Sequence, residues 1–154
     1  MVAVIQRVSY ANVEVESKSV AQIGKGLLVL IGISVEDQTG QADYLVSKIS
    51  QLRIFSDIEG IMNKRVLDLK LEILVVSQFT LLADASQGNR PSYIKAARPE
   101  KAIPIYEYFC DAFEKRIGEK IGKGIFGADM KVELLNDGPV TIVLDTDTIM
   151  KRST

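Results

Sequence analysis

Residues 71–81, LEILVVSQFTL, decide the fold of this chain. The stretch begins with a continuous apolar run at 73–76, rich in β-branched residues, which is typical of a strand covered on both faces. It then becomes polar at 77–80 without an intervening Gly or Pro. The pattern predicts hydroxyl, amide and aromatic groups at the end of a rigid core strand, where neighbouring strands fix the backbone. The alternative is an ordinary strand end whose Ser and Thr side chains cap a turn or the next helix.

The composition is typical of one globular domain. The chain has 154 residues, of which 47% are hydrophobic and 25% charged, and this is enough for a single core. No apolar run approaches the ~20 residues needed to cross a bilayer, and the first residues lack the pattern of a signal peptide. Cys110 is the one cysteine, so no internal disulfide can form, which fits a reducing compartment. We therefore expect a cytoplasmic protein without a membrane partner.

The chain contains no histidine, and this absence limits its chemistry. It excludes Ser-His-Asp and Cys-His nucleophilic machinery, and it removes the commonest zinc ligand. Any reaction must use carboxylates, lysines, hydroxyls, backbone groups or the substrate itself. The formal net charge of −1 argues against a broad nucleic-acid-coating surface but allows a local basic patch.

Periodicity predicts one domain of mostly antiparallel or mixed strands with two main helices. Residues 2–9 and 11–16 read as strands that a tight connection at 9–12 would join into a hairpin. Residues 27–33 form a second buried-type strand, in which Gly32 indicates a close backbone approach. Apolar residues at helical spacing predict an amphipathic helix at 41–53.

The second half of the chain contains a longer helix and further strands. Pro99 opens this helix, which presents an apolar stripe that includes Cys110. Residues 92–97 are compatible with a helical turn. Residues 130–135 and 140–144 read as strands.

Asn136-Asp137-Gly138-Pro139 separates the last two predicted strands. Asn, Asp, Gly and Pro are the usual turn residues, so a hairpin turn is the default interpretation. The alternative is a cis Gly138–Pro139 bond, which points consecutive carbonyl oxygens in nearly the same direction and suits an ammonium group.

Together, SQFTL at 77–81 and NDGPVT at 136–141 resemble the paired signatures of the D-aminoacyl-tRNA deacylase family, also called the D-tyrosyl-tRNA(Tyr) deacylase family. Other stretches agree in order, including VIQRVSYANVEV at 4–15, GNRPSY at 88–93 and FGADMKVELLNDGPVT at 126–141. The resemblance implies a single compact α/β domain over residues 1–154, with two β-layers and a helical layer, assembled as a homodimer.

The resemblance also implies a function. The enzyme would hydrolyse the ester that joins a D-amino acid to the 3′ end of tRNA, and glycyl-tRNA would be a further substrate. Gly138-Pro139 would be a cis pair inserted into the partner subunit's pocket, with Asn136 among the substrate-binding residues. The carbonyl oxygens of Gly138-Pro139 would hold the α-ammonium group of the substrate. The bulk of this pair would exclude an L side chain, whereas a D side chain would point to open space.

Two routes to ester cleavage remain open at this point. Thr80 is a candidate nucleophile, but its hydroxyl needs a base. Asp84 is the nearest carboxylate and is equally suited to capping a loop. In the favoured route, the 2′-hydroxyl of the terminal ribose assists, and backbone N–H groups around Phe79 and Thr80 form an oxyanion site. Ser77, Gln78 and Thr80 then shape the pocket, and Phe79 either contacts substrate or packs in the core.

Neither route requires a metal or a cofactor. Exposed strand faces explain the carboxylate pairs Asp129/Glu133 and Asp145/Asp147 better than metal binding does. Arg90 is the best candidate among several basic residues for contact with the tRNA acceptor end. Two further hypotheses are a non-catalytic RNA-end-binding module and a generic ester hydrolase, although the latter lacks a G-x-S-x-G motif.

Overall fold

The computed structural model describes residues 1–150, so the last four residues of the predicted domain lie outside the described residues. The described residues form, in order, β1 (Val2–Val15), β2 (Lys18–Ile23), β3 (Gly26–Gly32), α1 (Thr39–Gln51), β4 (Phe55–Ser56), β5 (Met62–Lys64), α2 (Val66–Leu69), β6 (Glu72–Ser77), the 3₁₀ helix Phe79–Leu82, α3 (Pro99–Ile117), β7 (Gly122–Lys123), β8 (Lys131–Asp145) and α4 (Thr146–Ile149). The strand and helix predicted around residues 27–53 are present as β3 and α1, and those predicted at 71–79 and from Pro99 as β6 and α3.

Local chemistry sets the ends of the two long helices. The backbone N–H of Gln38 donates to Oε1 of Gln41 at 2.9 Å, which closes the first turn of α1. Pro99 occupies the first turn of α3, where no backbone N–H is needed, and Gly118 ends this helix at φ +76°. The apolar stripes of both helices are buried, and Cys110 is buried with them.

Six strands form one sheet in which β1 is the central member. β2 pairs with the C-terminal half of β1, and β3 pairs with its N-terminal half, both antiparallel. β8 runs antiparallel along the opposite edge of β1. β6 then extends the sheet from β3, and β7 from β6, both in parallel orientation.

Two buried clusters show that this sheet contributes two layers. On one side of β3 and β6, residues such as Val29 and Val75 pack with helix residues including Leu45 and Phe109. Alternate strand residues point to opposite faces. Accordingly, Leu28, Leu74 and Val76 pack on the other side with residues of β1 and β2, namely Val8, Ala11, Val13 and Ile23. A helical layer and two β-layers result, as the α/β prediction required.

The predicted hairpin at 9–12 is wrong, because β1 is a single strand. A two-residue hairpin turn needs residues at positive φ. Glu16 and Ser17 supply them, at φ +51° and +64°, so the chain turns there into β2. Residues 9–11 remain extended, and the pairing of β1 with β8 shifts register between Gln6 and Tyr10.

The default interpretation of residues 136–139 as a hairpin turn is also wrong. Leu135 pairs with Tyr10 and Thr141 pairs with Gln6, so both halves of β8 follow β1 in the same direction. Between the pairs Val8–Asn136 and Gln6–Thr141, the single residue 7 of β1 faces residues 137–140 of β8. These four residues form an extended bulge, which we call the 137–140 bulge.

Residues 92–97 form no helix but contain one hydrogen-bonded turn, in which the backbone N–H of Ala96 donates to the carbonyl of Tyr93 at 3.0 Å. The segment also makes isolated bridges from Ser92 to Asp84 and from Ala96 to Ser34. Within residues 1–150, none of the helices has the length and apolar character needed to span a membrane.

Candidate active site

A cavity of about 300 Å³ opens where β3 and β6 end. Ser77, Gln78 and Phe79 line one side, with Ala102 from the first turns of α3 and Ala97 from the segment just before this helix. The segment 126–130 closes the opposite side. Three of the four predicted catalytic residues thus line one cavity, at the small end of the range for ligand sites. Thr80, the fourth, follows directly in the chain and is exposed.

Close packing positions the chain after β6. The backbone N–H of Gln78 donates to the carbonyl of Ile31 at 2.8 Å, and the chain then enters the 3₁₀ helix. A Cβ atom on Gly32 would lie 3.0 Å from the carbonyl oxygen of Gln78 and 2.6 Å from Cδ2 of Leu82. Only glycine therefore lets the 3₁₀ helix lie against β3, which explains the close approach predicted at Gly32.

Two backbone donors at this position are unpaired. The N–H groups of Phe79 and Thr80 make no hydrogen bond within residues 1–150, whereas Leu81 N–H donates to the carbonyl of Gln78. The first N–H groups of a helix have no intrahelical acceptor. These two consecutive donors therefore lie at the edge of the cavity, which Phe79 lines, without an acceptor among residues 1–150.

Among residues 1–150, no base is hydrogen-bonded to the side chain of Thr80. Its hydroxyl oxygen accepts a hydrogen bond from the side-chain amide of Gln78, which cannot take a proton at neutral pH. Asp84 instead accepts the backbone N–H of Ser86 at 2.9 Å and lies 3.7 Å from Lys95 Nζ. Hydrogen bonds from Ser86, and secondarily Lys95, lower the pKa of the Asp84 carboxyl below its ordinary value. Asp84 is therefore a loop-capping group.

Phe79 is not a core residue. Its side chain is 55% exposed, and its ring meets Tyr93 edge to face with 5.1 Å between ring centroids. The core-packing alternative for Phe79 is therefore wrong, and the ring lies at the mouth of the cavity.

Asn136 shapes the second motif. Its side-chain oxygen accepts the backbone N–H of Val140 at 2.9 Å, and its amide nitrogen donates to Thr141 Oγ1 at 2.9 Å. One side chain thus holds both ends of the 137–140 bulge together. Gly138 and Pro139 are exposed at its tip, and the peptide bond between them is cis.

Arg7 fixes the base of the bulge. Its Nε donates to the carbonyl oxygen of Asp137 at 3.0 Å, and its Nη1 donates to the carbonyl oxygen of Ile54 at 2.7 Å. The Arg7 side chain is only 12% exposed. Sequence reasoning missed Arg7, because a single arginine in a strand carries no local signal of its role.

The two motifs lie apart within one chain. The 137–140 bulge is opposite Arg7, which pairs with Leu27 of β3, whereas Gln78 binds Ile31 at the other end of that strand. Four residues of a strand span about 13 Å at about 3.3 Å per residue. Two further strands, β1 and β3, lie between β8 and β6. Accordingly, neither Gly138 nor Pro139 lines the cavity.

The segment 126–130 was also missed as part of the site. Phe126 packs on Tyr106 with ring centroids 5.8 Å apart, and Gly127 has φ +79°. The signal was present, because FGADM begins one of the stretches that carried the resemblance. Nothing in the local pattern, however, places it beside residues 77–79, some fifty positions earlier in the chain.

The carboxylate pairs weighed as metal ligands have other partners. Asp129 accepts Lys131 Nζ at 3.1 Å, and Glu133 accepts the Tyr10 hydroxyl at 3.1 Å. The hydrogen bond with Glu133 raises the pKa of Tyr10 above its ordinary value. Asp145 accepts the backbone N–H of Asp147 at 3.0 Å and so caps α4.

Fold and site together define an α/β protein with a pocket at the end of a core strand, beside two backbone N–H groups that have no acceptor within residues 1–150. The model of the family D-Tyr-tRNA(Tyr) deacylase matches residues 4–145. The chain belongs to this family, as the resemblance of its two motifs indicated.

Relatives and solved structures agree with this assignment. A D-aminoacyl-tRNA deacylase of Bacteroides thetaiotaomicron is 57% identical, covering 93% of this chain and 95% of the relative. One of Flavobacterium johnsoniae is 58% identical, with coverage of 95% and 97%.

Two solved structures have the same fold. A c-Myc DNA unwinding element binding protein matches with a TM-score of 0.88 at 43% identity, covering 94% of this chain and 98% of that one. A probable eukaryotic D-amino acid tRNA deacylase matches with a TM-score of 0.81 over the same shares. At 17% identity, this second likeness concerns the fold alone.

Proposed function

We propose that this protein hydrolyses the ester bond of D-aminoacyl-tRNA and releases the free D-amino acid and tRNA. The observation that carries the proposal is the pair of unpaired N–H groups at Phe79 and Thr80 beside the cavity, in a chain of the deacylase family. Acyl transfer passes through a tetrahedral oxyanion, and two preorganised backbone donors stabilise that charge without reorganising.

The substrate pocket is completed by a second copy of the chain. One chain holds an open cavity and, on its far side, an exposed bulge braced by Asn136 and Arg7. Neither part reaches the other within the chain. In a homodimer with a two-fold axis, each bulge enters the partner's cavity, because an isologous interface exchanges the same pair of surfaces twice.

Chirality is selected by exclusion. Backbone carbonyl oxygens of Gly138 and Pro139 accept the substrate's α-ammonium group, and the ester is held at Phe79 and Thr80. With both ends fixed, exchange of hydrogen and side chain at Cα drives an L side chain into the bulge. A D side chain points to open space, so side chains of many sizes are accepted. Glycyl-tRNA has no side chain to reject and is therefore a further substrate.

Ester cleavage uses the substrate's own 2′-hydroxyl. The Thr80 hydroxyl is bonded to an amide, and Asp84 is engaged by Ser86 and Lys95, so neither forms a nucleophile–base pair. The neighbouring ribose hydroxyl positions or activates water, and the protein contributes orientation and oxyanion stabilisation. No step in this route requires a metal or a cofactor.

The protein holds the tRNA by its 3′ end. Because its substrate is a tRNA, we expect the protein to be cytoplasmic. Arg90 is exposed on the loop after the 3₁₀ helix and is available to a phosphate. With a net charge of −1 overall, the protein contacts a short part of the tRNA, so the salt dependence of binding is modest.

Deacylation of matched D- and L-tyrosyl-tRNA tests the proposal, together with D-tyrosyl-tRNA that ends in 2′-deoxyadenosine. We expect rapid release from the D form only, and slow release from the deoxy form. Equal release from the deoxy form would return Thr80 to consideration as the nucleophile. Binding without release from any substrate would leave a non-catalytic RNA-end-binding module.

A further inference from the structure

An exposed pair of aromatic rings stands beside the cavity. Phe79 is 55% exposed and Tyr93 is 41% exposed, and the two rings are in edge-to-face contact. Such a pair uses one face of one ring and an edge of the other, so ring faces remain free. We call Phe79 and Tyr93 the aromatic shelf.

The shelf is continuous with the candidate site but extends beyond it. Phe79 lines the cavity, whereas Tyr93 does not. The loop that carries Tyr93 is held in place by two hydrogen bonds of 2.8 Å between the backbones of Asp84 and Ser92. The backbone N–H of Ala96 also donates to the carbonyl of Tyr93 at 3.0 Å. The second ring is therefore held in position just outside the cavity mouth.

The segment around the shelf is basic. Between residues 90 and 101 the cations are Arg90, Lys95, Arg98 and Lys101, and Glu100 is the one carboxylate, in a chain of net charge −1. All four cations are exposed, although the ammonium group of Lys101 also donates to the carbonyl oxygen of Val35. Lys95 is partly balanced by Asp84 at 3.7 Å. Exposed rings with adjacent cations are the combination that binds single-stranded nucleic acid, through stacked bases and neutralised phosphates.

We propose that the aromatic shelf stacks the base of the nucleotide that precedes the terminal adenosine of the substrate. This inference rests on the proposed function and extends it. With the aminoacyl ester in the cavity, the strand leaves through the cavity mouth, where Tyr93 lies. Aromatic stacking accepts any base because every base has a π-face. The shelf therefore contributes affinity for the unpaired end of the RNA and no selection among amino acids.

Two non-hydrolysable ligands test the proposal. The first is adenosine carrying D-tyrosine at its 3′ position through an amide, and the second is the cytidylyl-adenosine dinucleotide with the same group. Wild-type protein is expected to bind the dinucleotide about tenfold more tightly, as stacking of one base allows. The Tyr93→Ser variant is expected to lose this gain and to bind the mononucleoside as wild type does. Tyr93→Phe retains the gain, since the ring remains.

Ile94→Ser is the matched control, because Ile94 is the next residue of the same loop and is 81% exposed without a ring. It is expected to leave both affinities unchanged. Equal affinity of wild-type protein for the two ligands would overturn the proposal. So would a Tyr93→Ser variant that weakens both ligands equally, since Tyr93 would then act by supporting the cavity. If neither ligand binds wild-type protein, the proposed function itself fails, and the shelf proposal fails with it.

Discussion

Arg7 holds the carbonyl oxygen of Asp137 at 3.0 Å while it also holds that of Ile54 at 2.7 Å. One guanidinium group thus ties the 137–140 bulge of β8 to the segment that precedes β4. The Arg7 side chain is mostly buried, so water competes poorly for these bonds. The orientation of the 137–140 bulge therefore depends on the planar guanidinium group of Arg7, which donates to two carbonyl oxygens at once.

Replacement of Arg7 by Lys is expected to change the orientation of the 137–140 bulge without unfolding the chain. Lysine keeps the charge but cannot present two donors in a fixed fork. Hydrogen bonds from charged donors contribute about 1.5–3 kcal/mol, so kcat/KM for D-aminoacyl-tRNA should fall about tenfold or more. Steady-state deacylation and a melting curve provide the measurement.

Arg53→Lys is the control for this experiment. Arg53 also donates through Nε to a carbonyl, that of Asn63 at 3.1 Å, but it does so at the surface and to a residue outside the bulge. The Arg53→Lys substitution should leave kcat/KM unchanged. Wild-type kinetics for Arg7→Lys would show that the bulge keeps its position without this clamp.

Replacement of Gly138 by Ala is expected to impair reaction of the D substrate without unfolding the chain. Gly138 has φ +135°, and a Cβ atom there would lie 2.8 Å from Cγ2 of Val140 and 3.0 Å from Nη2 of Arg7. The strain, of order 1–3 kcal/mol, must distort an exposed loop rather than the core. We expect kcat/KM to fall about tenfold.

Gly40→Ala provides the comparison for Gly138→Ala. Gly40 lies in α1, and a Cβ atom there would meet nothing within 4 Å. That substitution should raise stability by up to about 1 kcal/mol and leave activity intact. Equal effects of both substitutions on activity would contradict a specific role for Gly138.

Thr80→Ala is expected to retain most of the activity. The Thr80 hydroxyl is bonded to the Gln78 amide and has no base, so the proposed route needs the backbone N–H of this residue rather than its side chain. Single-turnover deacylation by Thr80→Ala and Thr80→Ser decides the matter. A folded Thr80→Ala protein without activity, beside an active Thr80→Ser, would identify the hydroxyl as nucleophile.

Complementation between two impaired variants tests the shared pocket. Ala128→Trp is expected to fill the cavity, and Gly138→Ala impairs the bulge. When the two proteins are mixed under conditions that exchange subunits, a heterodimer contains one intact cavity that receives one intact bulge. Activity should recover to about a quarter of wild type, since half of the dimers then carry one of two sites. No recovery, despite subunit exchange confirmed by mass spectrometry, would mean that the bulge does not act in the partner.

Cys110 is expected to resist thiol reagents in the native protein. Burial raises the pKa of its thiol to about 11, so only a small fraction is thiolate at pH 8 and even that is shielded. Because the folded pKa lies above that of an exposed thiol, reactivity should rise when the chain unfolds. Labelling with a chromogenic disulfide should be slow in buffer and fast in urea. Rapid labelling of native protein would show that the interior of α3 opens readily.

Much of the scaffold was predictable because its signals are local. The β-branched run at 73–76 and the helical stripe that begins at Ala102 each depend on residues within a few positions of one another. The interpretations that failed concern segments whose structure depends on strand pairing between residues far apart in the sequence. The turn residues at 136–139 indicate a reversal, but both flanks pair with β1, more than a hundred positions earlier, and this pairing keeps the chain straight.

The candidate site was predictable only in part for the same reason. Residues 77–79 lie where the pattern placed them, at the end of β6. The opposite wall of the cavity and the Arg7 clamp come from other regions of the chain, and no spacing rule joins them. The exposure of Phe79 could not be predicted either. A ring that follows a core strand packs inward or outward depending on which residues of the next loop contact it.

The pairing of β1 with β8 also has a consequence for the order of assembly. Val2 lies opposite Asp145, so the first strand to be synthesised finds this partner only when the last strand has been made. Contacts between such distant positions close slowly, because a long loop must first be ordered. The bulge at Gly138 takes its shape between those two strands. A chain released before β8 is complete would therefore carry the cavity wall of β6 and lack the element that we propose recognises handedness.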